Sequence, residues 1–185
     1  MACSHYVSGA AKPIHWTGEP HAVVNLKLDW DGGVTALTGA PDIGQGSSTI
    51  VALTVAETLD LPLDRVRVIA ADSAITPKDN GAYSSRITFM VGNAAIDAAQ
   101  KLRKILTAAA ARKLSVAPGE IECRGGAFHL VNGNQPPLLV AEVVKEALVN
   151  EGTITAKGTF TCPPEAQGGK HKGGAVGSTM GFSYA

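Results

Sequence analysis

A short glycine-rich segment with hydroxyl side chains stands between an alternating apolar run and a run with helical spacing. Its residues are Gly44, Gln45, Gly46, Ser47, Ser48 and Thr49. The glycines permit positive φ angles and close approach to a ligand, and the hydroxyl groups can cap the following helix. The first amides of that helix attract anions. No lysine follows as in a Walker loop, so a plain turn with a helix cap is the alternative interpretation.

A second segment, residues 80–88, repeats this arrangement before another helical run. Gly81 supplies the turn, and the guanidinium of Arg86 can bind an oxyanion. The polar candidates of this segment are Ser84, Ser85, Arg86 and Thr88. Two anion-attracting helix starts suit a diphosphate or a dinucleotide. The side-chain amide of Gln45 is both a donor and an acceptor, which favours an oxygen-rich cofactor over a bare phosphate.

The runs around the two segments predict an α+β fold, in which hairpins and a mixed sheet pack with helices. Alternation of apolar residues predicts strands, and apolar residues at helical spacing predict helices. The predicted elements are a hairpin at 21–41 with its turn at 31–33, a helix from Ile50 to Leu59, a strand at 65–71, a helix at 87–114 interrupted at Gly92, a hairpin at 121–131, a helix at 138–149 and a strand at 152–161.

Composition excludes several classes of partner. The 185 residues are 45% apolar, which is enough for a buried core, and 16 basic side chains balance 16 acidic ones. Such a balance argues against nucleic acid and against an anionic membrane as partners. There is no apolar run long enough to span a bilayer, and the first residues lack the order of a signal peptide. We therefore expect a soluble, cytoplasmic protein.

The three cysteines, Cys3, Cys123 and Cys162, are widely spaced and form no C-x-x-C pair. This pattern predicts reduced packing cysteines rather than a disulfide framework, a zinc site or an iron–sulfur cluster. The five histidines also lack metal-ligand spacing. We therefore expect no metal ligands in this chain.

The sequence divides at about residue 162. Residues 1–162 contain the predicted elements, and residues 163–185 are a glycine-rich connection without regular period, which indicates a loop. The chain ends on a strand-like GFSYA with nothing after it to pair with. We therefore expect a partial domain that continues into a missing segment.

The two segments and the sequence between them resemble the molybdenum-cofactor-binding domain of the xanthine oxidase family of molybdenum hydroxylases. The resemblance rests on the order GQGSST at 44–49, AETLDLPLDRVRVIAADSAITP at 56–77 and DNGAYSSRITFMVGNAAIDAAQKL at 79–102. Within the family, the large catalytic subunits of 4-hydroxybenzoyl-CoA reductases are most similar, through residues 1–30, 72–93 and 152–168. The resemblance covers essentially the whole chain.

The resemblance implies a cofactor and a use for each segment. The cofactor is molybdopterin cytosine dinucleotide with molybdenum. The family's glycine–glutamine–glycine loop contacts the pterin and the oxygen ligands of the metal, and here it is Gly44, Gln45 and Gly46. Gln45 is thus the candidate for contact with the reacting centre. The serine–arginine segment contacts the dinucleotide phosphates, and here it is Ser84, Ser85 and Arg86, with Thr88 nearby.

The resemblance also implies partners and a reaction. Complete enzymes of this kind add an iron–sulfur subunit and a flavin subunit that carries FAD, together with the rest of the molybdenum subunit. The implied reaction removes the phenolic hydroxyl of the aromatic acyl-CoA thioester reductively to give benzoyl-CoA, with ferredoxin as electron donor.

One departure from the family pattern limits what this chain does alone. The family's base-like glutamate lies in a glycine-rich motif that this sequence lacks, and Glu165 stands in the different context CPPEAQGG. The isolated chain is therefore expected to be inactive. The alternatives are a non-catalytic α+β binding or assembly module, and a piece of another molybdenum hydroxylase of the aldehyde, xanthine or CO type.

Overall fold

A computed structural model describes residues 3–8, 18–83, 85–162 and 179–184. Side chains are described for residues 18–83, 85–149 and 151–162. The side chains of the first and last strands, and with them the thiol of Cys3, lie outside the described part. The glycine-rich stretch 163–178, including Glu165, lies outside it as well.

A four-stranded mixed sheet forms the centre of the described structure, in the order β4-β3-β2-β8. Its strands are β2 (Ala22–Leu28), β3 (Val34–Thr38), β4 (Val66–Ala70) and β8 (Thr155–Phe160). β2 pairs antiparallel with both β3 and β8, whereas β3 pairs parallel with β4. The predicted hairpin at 21–41 and the strands at 65–71 and 152–161 are confirmed.

Three helices accompany the sheet: α1 (Ser47–Leu59), α2 (Gly92–Leu114) and α3 (Val140–Glu151). α1 contacts β3 and β4, α2 contacts β2 and β8, and α3 packs on α2. All three were predicted, but the interruption at Gly92 was wrong. Residues Ile87–Val91 form a π-helical turn that continues into α2 through Gly92, whose φ of −58° and ψ of −47° are ordinary helical values. None of the described helices is long and apolar enough to cross a membrane.

The core lies between the sheet and the helices. Val24, Leu26 and Val34 point from the sheet onto Ala94 and Ala98 of α2, and all five side chains are fully buried. Small residues along α2 allow the helix to approach the sheet closely, most of all at Gly158 of β8. The alanine-rich composition of α2 is therefore a packing feature of this interface. This arrangement confirms the predicted α+β class.

Two smaller sheets complete the fold. β5 (Ile121–Arg124), β6 (Ala127–Leu130) and β7 (Leu138–Leu139) form one, and its β5–β6 hairpin was predicted. β1 (Cys3–Ser8) and β9 (Thr179–Tyr184) form the other, as an antiparallel pair. The expectation that the strand-like end of the chain has no partner was thus wrong, because this pairing joins residues far apart in sequence. Cys123 and Cys162 are free thiols, as predicted for these two.

Candidate functional site

Both candidate segments leave the same edge of the central sheet. Because β3 and β4 are parallel, their carboxyl ends lie side by side, and Ala71 N donates to Thr38 O at 3.0 Å. The first loop (residues 39–46) follows β3, and the second loop (residues 71–85) follows β4. The loops touch at Gly39, where a β-carbon would overlap Pro77 O and stand 2.9 Å from Asp79 Cβ. The two expected loops are therefore neighbours.

The carboxylate of Asp42 organises the first loop. It accepts hydrogen bonds from Gly44 N at 3.0 Å, Gly46 N at 3.2 Å and Ser48 N at 3.1 Å. Gly44 and Gly46 have φ angles of 100° and 80°, which turn these amides toward the acid.

The helix cap therefore differs from the sequence prediction. The N-cap of α1 is Gly46, and the hydroxyl residues at 47–49 do not cap it; Asp42 binds an amide of the first turn instead. Sequence reasoning missed Asp42, although an aspartate two residues before a glycine is a signal for a side-chain-stabilised turn.

These bonds shift the acidity of Asp42. The hydrogen bonds from the backbone amides of Ser48 and Gly44 hold the pKa of the Asp42 carboxyl below its usual value of 3.8. A carboxylate that accepts several amide protons is stabilised in its charged form. The first loop thus carries its own anion at the start of α1, in the place where a helix start attracts negative charge.

We expect acid to loosen the first loop. A carboxyl with a lowered pKa in the folded state contributes its stabilisation above 3.8, and loses it as the pH falls below 3.8 through the lowered value. Amide exchange at Gly44 and Gly46, measured against the amides of α2, should therefore accelerate only below that pH. In Asp42→Asn this pH dependence should disappear, whereas Asp64→Asn, at an exposed position at the start of β4, should retain it. An unchanged profile in Asp42→Asn would contradict the assignment.

The amide of Gln45 braces the same loop. Its Oε1 accepts from Ile43 N at 2.6 Å, and its Nε2 donates to Pro41 O at 3.0 Å and to Ser47 Oγ at 2.6 Å. Ser47 is buried, whereas Gln45 itself is exposed. Both N–H bonds of Nε2 therefore have acceptors within the loop. Gln45 reaches a cofactor oxygen only by exchanging one of them.

The outer side of the first loop is open. No atom lies within 4 Å of where a β-carbon would stand on Gly44 or Gly46. The described residues supply no acceptor for the backbone N–H groups of Gln45, Ser47 and Thr49. Thr49 is exposed and Ser48 is half-buried. Open space beside glycines, unpaired amides and accessible hydroxyls are features that fit a polar cofactor held by hydrogen bonds.

Arg86 differs from its sequence prediction. The side chain is fully buried, pairs with Asp79 at 2.7 Å, and donates to Gly81 O at 3.0 Å and to His21 O. These partners leave no guanidinium surface for a phosphate in this arrangement. A buried arginine with an acid partner seven residues earlier cannot be told from a ligand-binding one by local sequence.

The other polar candidates of the second segment lie at its surface. Ser85 and Thr88 are exposed, and Ser85 has a left-handed φ of 49°. Ser84 lies outside the described residues. Among residues 18–149 and 151–162, apart from Ser84, no group of three His, Cys, Asp or Glu side chains is placed to hold a metal ion. Ser85 and Thr88 are thus the accessible hydroxyls of this segment.

Comparison with known proteins defines the class to which this fold and its paired loops belong. The whole chain, residues 1–185, matches the molybdopterin cofactor-binding domain family. The chain belongs to that family, as the cofactor-binding domain of xanthine oxidase-type molybdenum hydroxylases.

Two relatives show the level of similarity. The xanthine dehydrogenase molybdenum-binding subunit of Escherichia coli O157:H7 is 33% identical over 141 residues, which are 75% of this chain and 18% of that protein. The 6-hydroxypseudooxynicotine dehydrogenase complex subunit gamma of Paenarthrobacter nicotinovorans is 32% identical over 56% of this chain and 13% of its own length. The chain thus spans less than a fifth of either relative.

Solved structures share the fold. Quinoline 2-oxidoreductase from Pseudomonas putida 86 superposes with a TM-score of 0.71 at 25% identity, covering 85% of this chain and 22% of that one. Reconstituted CO dehydrogenase from Oligotropha carboxidovorans superposes with a TM-score of 0.76 over 88% of this chain and 21% of that one. At 23% identity, the second likeness supports the fold alone.

Proposed function

We propose that the first and second loops form part of a molybdopterin site in the catalytic subunit of a molybdenum-dependent oxidoreductase. The observation that carries the proposal is the meeting of the two loops at one sheet edge, with the open side of residues 44–49 exposed beside them. Membership of the cofactor-binding family supports it. The proposed cofactor form is molybdopterin cytosine dinucleotide.

The proposed contacts follow the accessibility of each group. The open backbone at Gly44 and Gly46 faces the pterin, the amide of Gln45 turns to an oxygen ligand of the metal, and the hydroxyls of Ser48 and Thr49 add donors. When bound, the molybdenum centre supplies two-electron redox chemistry. The chain's own contribution is to orient the cofactor through amides and hydroxyls whose geometry the loop fixes beforehand.

The dinucleotide phosphates are assigned to the second segment. Ser85 and Thr88 are its exposed hydroxyls, and the backbone amides at the start of the helix that begins at residue 86 attract anions. Ser84 remains a proposed contact on the basis of the sequence resemblance. Arg86 supports this segment from below through Asp79 and Gly81 instead of meeting a phosphate in the present arrangement.

The proposed substrate is 4-hydroxybenzoyl-CoA. The sequence resemblance through residues 72–93 supports this choice. The reaction breaks the aromatic C–O bond; two electrons and two protons enter, the oxygen leaves as water, and benzoyl-CoA remains. Ferredoxin supplies the electrons, which pass through iron–sulfur clusters and FAD on partner subunits.

A second candidate is a hydroxylase of another type. The similarity to a xanthine dehydrogenase subunit favours oxidation of a purine or related heterocycle; the aldehyde and CO types and a non-catalytic assembly module complete the alternatives. The test is turnover by the assembled complex with this chain in its full subunit. Benzoyl-CoA formed from 4-hydroxybenzoyl-CoA and reduced ferredoxin supports the first assignment. Oxidation of xanthine, an aldehyde or CO, with no benzoyl-CoA, would replace it with the corresponding type.

A further inference from the structure

We propose that the buried ion pair of Asp79 and Arg86 is a positioning pair that couples the second loop to the first, so that the two loops open and close as one unit. The inference rests on the proposed function, in which one cofactor contacts both loops. Neither side chain touches the cofactor in this account. The pair acts through the backbone segments that it joins.

The first step of the argument is burial. The side chain of Arg86 is 0% exposed and that of Asp79 is 4% exposed, with Nη1 and Oδ1 2.7 Å apart. Burying two charges is costly, and such pairs are often no better for stability than apolar residues of the same volume. A pair of this kind is better explained by what it holds in place.

The second step is what Arg86 joins. Nη1 also donates to Gly81 O within the second loop, and Nη2 donates to His21 O at the start of β2. Nε has no hydrogen-bond partner among the described residues. An unsatisfied buried donor is unfavourable. The guanidinium thus accepts this cost in an orientation that ties the second loop to the central sheet.

The third step is the contact with the first loop. Gly39 stands against Pro77 O and Asp79, so close that no side chain fits between the loops. Asp79 therefore has the first loop on one side and Arg86 on the other. A change in the position of Asp79 is transmitted to residues 39–46.

The fourth step is the strained residue beside the pair. Ser85 has a φ of 49°, which a residue with a side chain adopts only when its surroundings enforce it. Arg86, anchored on three groups, directly follows it. The pair thus holds Ser85 in the conformation that leaves it exposed at the shared edge.

A neighbouring ion pair supplies the matched control. Lys78 pairs with Glu19 at 2.6 Å, and the two side chains are 65% and 46% exposed. Exposed pairs of this kind contribute little. Lys78→Met therefore removes a charge next to Asp79 in sequence without disturbing the buried contacts.

The test is amide hydrogen exchange of the cofactor-free full protein, read separately for residues 39–49 and for α2. In Asp79→Asn and Arg86→Met, exchange of residues 39–49 should accelerate about tenfold or more, while α2 changes less than about twofold. Lys78→Met should match the wild type. Because no cofactor is needed, the result stands apart from whether molybdenum binds.

A second variant keeps the proposal testable if either substitution prevents folding. Gly39→Ala pushes the loops apart and leaves both charged side chains in place. It should accelerate exchange in residues 39–49 and also in residues 77–86. Unchanged exchange of the first loop in the Asp79 and Arg86 variants, or equal acceleration in the first loop and α2, overturns the proposal. For Gly39→Ala, acceleration confined to residues 39–49 does the same.

Discussion

Replacing Gly158 with alanine is expected to destabilise the protein by about 3 kcal/mol or more, because overpacking at a rigid contact is among the costlier core changes. A β-carbon on Gly158 would overlap Ala94 O and Ala98 N of α2. Both obstacles are backbone atoms of a helix, so they cannot move aside as a flexible side chain can. Relief requires α2 to shift away from β8 and from the sheet. Urea or thermal unfolding of the variant measures the loss.

Gly119→Ala is the matched control for this prediction. No atom lies within 4 Å of the β-carbon position at Gly119, and its φ lies outside the left-handed region. The control should unfold within about 0.5 kcal/mol of the wild type, as surface substitutions usually do. Equal stability of the two variants would show that α2 does not press on β8 as closely as the structure has it.

The second large effect is expected at Gln45. Gln45→Ala should retain much of the cofactor but lower activity per molybdenum by about 100-fold, the usual scale for removing a donor aimed at a reacting centre. The structure adds a second consequence. The variant also loses the contacts to Ile43 N, Pro41 O and Ser47 Oγ, so the first loop should become more mobile.

Ser47→Ala separates the two consequences. It removes one of the internal contacts of Gln45 and keeps the amide available. If Gln45 acts on the metal site, activity per molybdenum in Ser47→Ala should fall by less than about tenfold, since a single neutral hydrogen bond is worth ~1 kcal/mol. Equal losses in the two variants would reduce Gln45 to a brace of the loop.

The sequence predicted the elements whose signals are local. Alternation around the glycine turn at 31–33 gave the β2–β3 hairpin, and helical spacing before Pro62 gave α1. The pairing of β1 with β9 escaped prediction because it joins opposite ends of the chain. At Gly92 the flanking residues pack tightly enough to outweigh the weak helix preference of glycine, so the helix continues.

The site shows the same division. The glycine loop at 44–46 and its place before a helix were readable from residue types, but the internal partners of Asp42, Gln45 and Arg86 were not. An arginine near serines suggests a phosphate contact, and only the burial of Arg86 beside Asp79 reveals an internal one. Such partners depend on the meeting of two loops, which no single stretch of sequence specifies.

The most direct test of the cofactor site is the molybdenum and pterin content of the assembled protein. The wild type should contain stoichiometric molybdenum, and a cytosine nucleotide should be released on hydrolysis of the cofactor. Thr49→Phe places a bulky ring on the exposed side of the loop and should lower occupancy, while Glu57→Phe, exposed two turns further along α1, should not. A correctly assembled wild-type protein without molybdenum, or full occupancy in Thr49→Phe, would contradict the account.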